Sequence, residues 1–224
     1  MKGSVVAHLI WKDWQLQRLA ILVTVAGGVA ALAVAAWGSQ NALVVGGVLF
    51  FMPLILVGHM LPLAGMVNER KKQNLAFLMS LPISSIQYTT SKLVSSLAMF
   101  LISWVTLVLA GVVLIEVHPV LPAGVIPLLL ILALLPFLGF CLVTGTVLIS
   151  ESEGWGIAAN VFCSSTYGLT WYFLTQVPGL MKAAQGPTPV WTATEVEIVT
   201  GEIIAGVLML GITYFFQSRK RDFV

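Results

Sequence analysis

The sequence predicts an all-α integral membrane protein with six transmembrane helices, an N-terminal interfacial helix and one short polar helix between the second and third spans. Three observations predict it. Hydrophobic residues make up 58% of the 224-residue chain, and mean hydropathy is +0.99. Charged residues make up 9%, against about 25% in a soluble domain. The charges also leave long gaps. Residues 19–68, 93–115, 117–150 and 154–181 contain no Asp, Glu, Lys or Arg, and about 20 apolar residues suffice for a helix to cross the hydrocarbon core. Several spans leave no room for a large soluble domain, so 1–224 reads as a single transmembrane domain.

The elements follow in order. Residues 1–18 carry Val6, Leu9, Ile10, Trp14 and Leu16 among His8, Lys12, Gln15 and Arg18, which suits a helix lying in the membrane interface. The first charge-free gap is long enough for two crossings. Trp37-Gly38-Ser39-Gln40-Asn41 breaks it, because Gly and Asn favour a turn. Spans are therefore expected at about 19–37, 42–66, 91–115, 124–149, 155–177 and 198–217. An A-x-A-like site at Ala33-Val34-Ala35 follows an apolar run. The preceding 18 residues hold Trp11, Asp13 and Trp14, which predicts that this run is kept as a span.

Six spans put both termini on one side. That side holds Lys2, Lys12, Arg18, Arg70, Lys71, Lys72, Lys92, Arg219, Lys220 and Arg221, leaving Lys182 on the other. The positive-inside rule then places both termini in the cytoplasm, with Glu116, Glu195 and Glu197 outside.

Between spans two and three lies a polar island that starts at Glu69-Arg70-Lys71-Lys72 and runs to Lys92. Residues 69–81 can make about three helical turns, with Leu75, Leu78 and Met79 toward one side. Pro82 ends this helix by disfavouring the helical conformation in the residue before it. Ser84 or Ser85 can cap the next helix.

Most chemistry is missing from the sequence. There is no phosphate-cradling G-x-x-x-x-G-K-[ST], no H-E-x-x-H and no G-x-S-x-G. His8, His59 and His118 are scattered, and no pair of intramembrane carboxylates offers a proton relay. Cys141 and Cys163 lie inside predicted spans and read as small packing residues. The pattern predicts no catalytic residue, metal site or cofactor site, and speaks against both a membrane enzyme and a self-powered ion-coupled carrier.

Some residues fit two readings. His59 in span two and Glu202 in span six either line a polar path or are held by hydrogen bonding and by reach to the interface. Gly27, Ala31 and Ala35 in span one, and Gly156, Asn160, Ser164 and Gly168 in span five, recur every fourth position. Such stripes serve packing within one chain or a seam between two. Residues 178–197 form either a lid folded back on the outer leaflet or an ordinary loop anchored by Trp191. Tyr167, Trp171, Tyr172 and Phe173 precede it as an aromatic belt.

Glu69-Arg70, a leucine-rich turn, Ser80-Leu81-Pro82-Ile83-Ser84 and then Lys92, ten residues after Pro82, resemble the permease family of type-2 ABC exporters. The amphipathic N-terminus, the six spans, the hydrophobic turn before the last span and the tail Ser218-Arg219-Lys220-Arg221-Asp222-Phe223 resemble it too. Many members carry a Gly soon after the Glu, where this chain has Lys71-Lys72-Gln73, which leaves the subfamily and cargo unassigned.

The resemblance implies a role for each part. Residues 69–81 would be the coupling helix docking on a separate ATP-binding subunit. Glu69, Arg70 and Lys71 would make its polar contacts, Leu75, Leu78 and Leu81 its apolar ones, and Pro82 its stop. The helix around Trp11 and Trp14 would be the connecting helix. Spans one and five would line the seam with a second permease subunit, identical or homologous. The aromatic end of span five (Tyr167, Trp171, Tyr172) and the following loop would form the outer gate, with His59 and Glu202 as path candidates. Two ATPase copies would supply ATP and Mg2+ chemistry, and membrane lipid would surround a complex in the bacterial plasma membrane with no nucleic-acid partner. An ion-coupled carrier, or a membrane protein without a transport role, is the alternative.

Overall fold

The computed structural model describes residues 2–63, 65, 85–118, 121–177 and 179–219. Among them are seven helices and no strand: α1 (Lys2–Ala35), α2 (Gln40–Pro62), α3 (Ser85–Val117), α4 (Val125–Ser150), α5 (Glu153–Gln176), α6 (Leu180–Ala184) and α7 (Ala193–Arg219). Five of them, α1, α2, α3, α4 and α7, are long and apolar enough to cross a membrane. Their outward faces are apolar: Leu19 and Leu22 on α1, Val105 and Leu109 on α3, and Val207 and Leu208 on α7 are all exposed. Soluble monomers rarely expose apolar faces of this extent. The chain is an all-α, multi-pass membrane-embedded protein.

Two expectations are corrected here. The amphipathic lead-in is not a separate interfacial helix. It runs without a break into the first apolar segment as the 34-residue α1. The physical reason lies in the sequence: residues 4–26 contain neither Gly nor Pro to end the helix. At about 1.5 Å per residue, α1 is near 50 Å long, well beyond the roughly 30 Å hydrocarbon core. The last helix also starts earlier than expected, at Ala193 rather than 198.

Local chemistry explains the turns. Gly38 adopts φ 79°, a left-handed conformation that costs Gly little. Ser39 then accepts a hydrogen bond from the Ala42 amide, 3.1 Å away, and caps α2. At the head of α7, Thr192 and Glu195 form a reciprocal capping box. The Glu195 amide donates to Thr192 Oγ1 at 3.4 Å, and Glu195 Oε2 accepts from the Thr192 amide at 2.7 Å. Glu195 is thereby buried. Thr192→Ala is expected to cost about 1 kcal/mol, read as a lowered thermal midpoint of the purified chain.

The core sits around α4. This helix packs against α2, α3, α5 and α7, which is why it is apolar on every side. Phe100 of α3 stacks on Phe140 of α4 with centroids 4.7 Å apart. Pro136 interrupts the α4 hydrogen-bond ladder. Near that break, Trp104 Nε1 donates to the Ala133 carbonyl at 2.6 Å.

The segment after α5 is folded back onto the bundle. Leu180 and Ala184 of α6 are buried against Leu128, Ile131 and Leu174, and the Gly124 amide donates to the Gly186 carbonyl at 3.0 Å. Trp191 remains exposed.

Candidate functional site

Two clusters of polar side chains lie inside this apolar bundle. The first joins α1 to α3. On α3, Tyr88, Lys92 and Ser95 are spaced to share one helical face, and all three are buried. Asp13 of α1, 3% exposed, meets them. Lys92 Nζ lies 2.9 Å from both Asp13 carboxylate oxygens, and Ser95 Oγ donates to Asp13 Oδ2 at 3.0 Å. The ammonium sits 5.8 Å from the Tyr88 ring centroid. Lys12 adds a weaker contact to Asp13 at 3.7 Å.

From the sequence, Lys92 counts among the charges of the polar island, and this pairing is not foreseen. Lys92 lies inside α3, whose first residue is Ser85, and is 2% exposed. The available signal was Asp13 itself, the sole acid in residues 1–68. A lone carboxylate on an amphipathic helix needs a cationic partner if it is buried.

The second cluster joins α2 to α5. Tyr167 Oη of α5 and His59 Nε2 of α2 are 2.9 Å apart, and their rings stack with centroids 5.8 Å apart and 13° between planes. Asn160 lies two turns before Tyr167 on α5, and Ser164 Oγ donates to Asn160 Oδ1 at 3.3 Å. Gly139 of α4 makes the room. A Cβ there would stand 2.6 Å from His59 Nε2 and 2.7 Å from Tyr167 Oη.

Toward the start of α2 and α4, the Tyr167 ring opens onto a cleft of about 530 Å³ between α2, α4 and α5. Its walls include Val48 and Phe51 of α2, Leu128 and Leu132 of α4, and Trp171 of α5.

The other sequence candidates divide. Glu69, Arg70, Lys71, Leu75, Leu78, Leu81 and Pro82 lie outside the described residues. In the α1 stripe, Ala31 and Ala35 are buried within the chain, Ala31 beside Phe50 and Leu54, whereas Gly27 faces open space. In the α5 stripe, Gly156 is buried against Val147 and Leu63, Ser164 is exposed and Gly168 faces open space. Tyr172 is exposed and meets Phe173 edge-on, away from the cleft walls. Glu202 does not line the cleft either, and its Oε2 has no hydrogen-bond partner among the described residues. Cys141 and Cys163 are free and buried. Among the described residues no three His, Cys, Asp or Glu side chains converge as a metal site. No protein-family model, curated protein or solved structure matches the chain.

Proposed function

We propose that the chain is the membrane-spanning subunit of an ATP-driven exporter, a permease of the type-2 ABC kind. It forms the translocation path as a dimer and is driven by a separate ATP-binding subunit present in two copies. The sixth span in this reading is α5. Its 24 residues are long enough to cross, and its polar side chains, Asn160, Ser164, Ser165, Thr166 and Thr170, keep it out of the strongly apolar set.

The observation that carries the reading is the Asp13–Lys92 pair. Lys92 is the lysine of the family-like motif, and it clamps α1 to the helix that follows the polar island. A push delivered to residues 69–81 by an ATPase therefore reaches α1 and α3 together. ATP binding closes the ATPase dimer, the joined helices tilt, and the path opens on the far side. Hydrolysis resets it. The chain supplies path and lever in the bacterial plasma membrane, with both of its termini cytoplasmic, and the catalytic groups belong to the separate ATP-binding partner.

The test is gentle purification of the tagged chain from its native host. A stoichiometric partner bearing a phosphate-cradle motif is expected, and a chain that is reproducibly alone and active overturns the proposal. Leu78→Asp and Glu69→Ala should insert normally yet separate ATP hydrolysis from transport by tenfold or more; normal transport by both variants would remove the coupling-helix role.

Glu202 favours a second reading. A carboxyl group with an unpartnered oxygen inside an apolar helix suits an ion-coupled carrier. Transport that survives ATP depletion but collapses with the ion gradient would select it.

A further inference from the structure

We infer that the cleft between α2, α4 and α5 holds one acyl chain of a membrane phospholipid, drawn from the leaflet at the end where α2 and α4 begin. Dimensions come first. Along α2 the walls run from Val44 to Ile55, and along α4 from Val125 to Pro136. At about 1.5 Å per residue each stretch is roughly 16 Å long, about half of the 30 Å hydrocarbon core and hence one leaflet deep. A cleft of about 530 Å³ over that length is a channel roughly 9 Å across once a water's radius of about 1.4 Å is added on each side. A helix with its side chains needs about 10–12 Å, so a second copy of the chain cannot insert one. A hydrocarbon chain, whose carbons pack at about 4 Å, fits.

Chemistry narrows the occupant further. The walls are Val, Leu, Ile, Phe, Gly and Pro, with Tyr167 and Trp171 on the α5 side. Ordered water needs two to four polar partners. The Tyr167 hydroxyl already pairs with His59 at 2.9 Å, so the cleft offers water little. An empty cleft would forfeit dispersion contacts along its full length. A chain from the surrounding bilayer restores them, with its headgroup among the exposed aromatic residues Trp171 and Tyr172 and its tail end against the Tyr167 ring. The inference rests on the membrane-embedded fold and is independent of the exporter reading.

The experiment uses the full chain in phospholipid nanodiscs doped with a phosphatidylglycerol carrying a diazirine midway along one acyl chain. After illumination, labelled peptides are mapped by mass spectrometry. Val48, Leu132 and Tyr167 are expected to label several-fold more strongly than the open lipid faces at Leu22 and Leu208. Gly47 lines the cleft, and a Cβ there meets nothing within 4 Å. Gly47→Trp should therefore fill the cleft and remove the excess labelling while leaving Leu22 and Leu208 unchanged; Gly47→Leu, a smaller filling, should reduce it in part. Wall labelling no stronger than that at Leu22, or unmoved by both fillings, overturns the inference. So does a wall that labels only when the chain is diluted to a monomer, which would mark a second copy as the cover.

Discussion

Lys92→Ala is expected to destabilise the folded chain by about 3–5 kcal/mol, because it strands a buried carboxylate. Asp13 is 3% exposed and its oxygens are held by Lys92 Nζ and Ser95 Oγ. With the ammonium gone, one serine bond and the 3.7 Å contact to Lys12 remain. The Asp13→Leu/Lys92→Met double variant should recover most of the loss, since replacing a buried ion pair by apolar groups of similar volume is often neutral or better. Equilibrium unfolding of wild type, Asp13→Leu, Lys92→Met and the double variant in one detergent closes the cycle and gives the coupling energy directly. If the double variant were as unstable as Lys92→Ala, the pair would not be the source of the stability.

The same four proteins separate stability from transmission. In the exporter reading, the ion pair makes α1 and α3 move as one body. The double variant should then fold well and hydrolyse ATP with its partner, but export more slowly than wild type. A stable double variant with full export would reduce the pair to a scaffold and leave the coupling to other contacts.

How much of this was legible in the sequence depends on the range of each interaction. The helix positions were, because lipid forces charges out of spans and the gaps between charges are one-dimensional. The predicted 42–66 and 124–149 correspond to Gln40–Pro62 and Val125–Ser150. The turn at Gly38 was legible for a local reason, the φ of 79°. Thr192-Ala193-Thr194-Glu195 is legible as a capping box, although Glu195 taken by itself reads only as an outer acid. The continuity of α1 was obscured by its change of character near residue 18, where polarity shifts while helical propensity does not. The Asp13–Lys92 pair was illegible because its partners are 79 residues apart. His59 and Tyr167 each stand out singly, but their pairing spans 108 residues, and nothing in the sequence marks Gly139 as the residue that allows it.

That glycine gives a prediction whose sign is diagnostic. At an unobstructed helical position, Gly→Ala is worth about 1 kcal/mol of stability through backbone propensity. Gly201 and Gly211 of α7 are such positions, with nothing within 4 Å of an added Cβ, so Gly201→Ala and Gly211→Ala should be neutral or mildly stabilising. Gly139→Ala should go the other way. Its methyl would stand 2.6 Å from His59 Nε2 and 2.7 Å from Tyr167 Oη, and His59, 2% exposed, has nowhere to retreat. Overpacking costs about 1–3 kcal/mol, and an imidazole nitrogen left without its partner about 1–3 kcal/mol more. The two losses outweigh the propensity gain, and the effect is expected to be larger than for any other Gly→Ala in the spans whose new methyl meets only flexible side-chain ends. Tyr167→Phe removes the hydroxyl that both crowds the methyl and bonds His59. In its background, Gly139→Ala should be several-fold less costly, a non-additivity that unfolding measurements on the four species resolve. Additive costs would mean that α4 and α5 can part without straining the His59–Tyr167 bond, and that the pair is held from the α2 side alone.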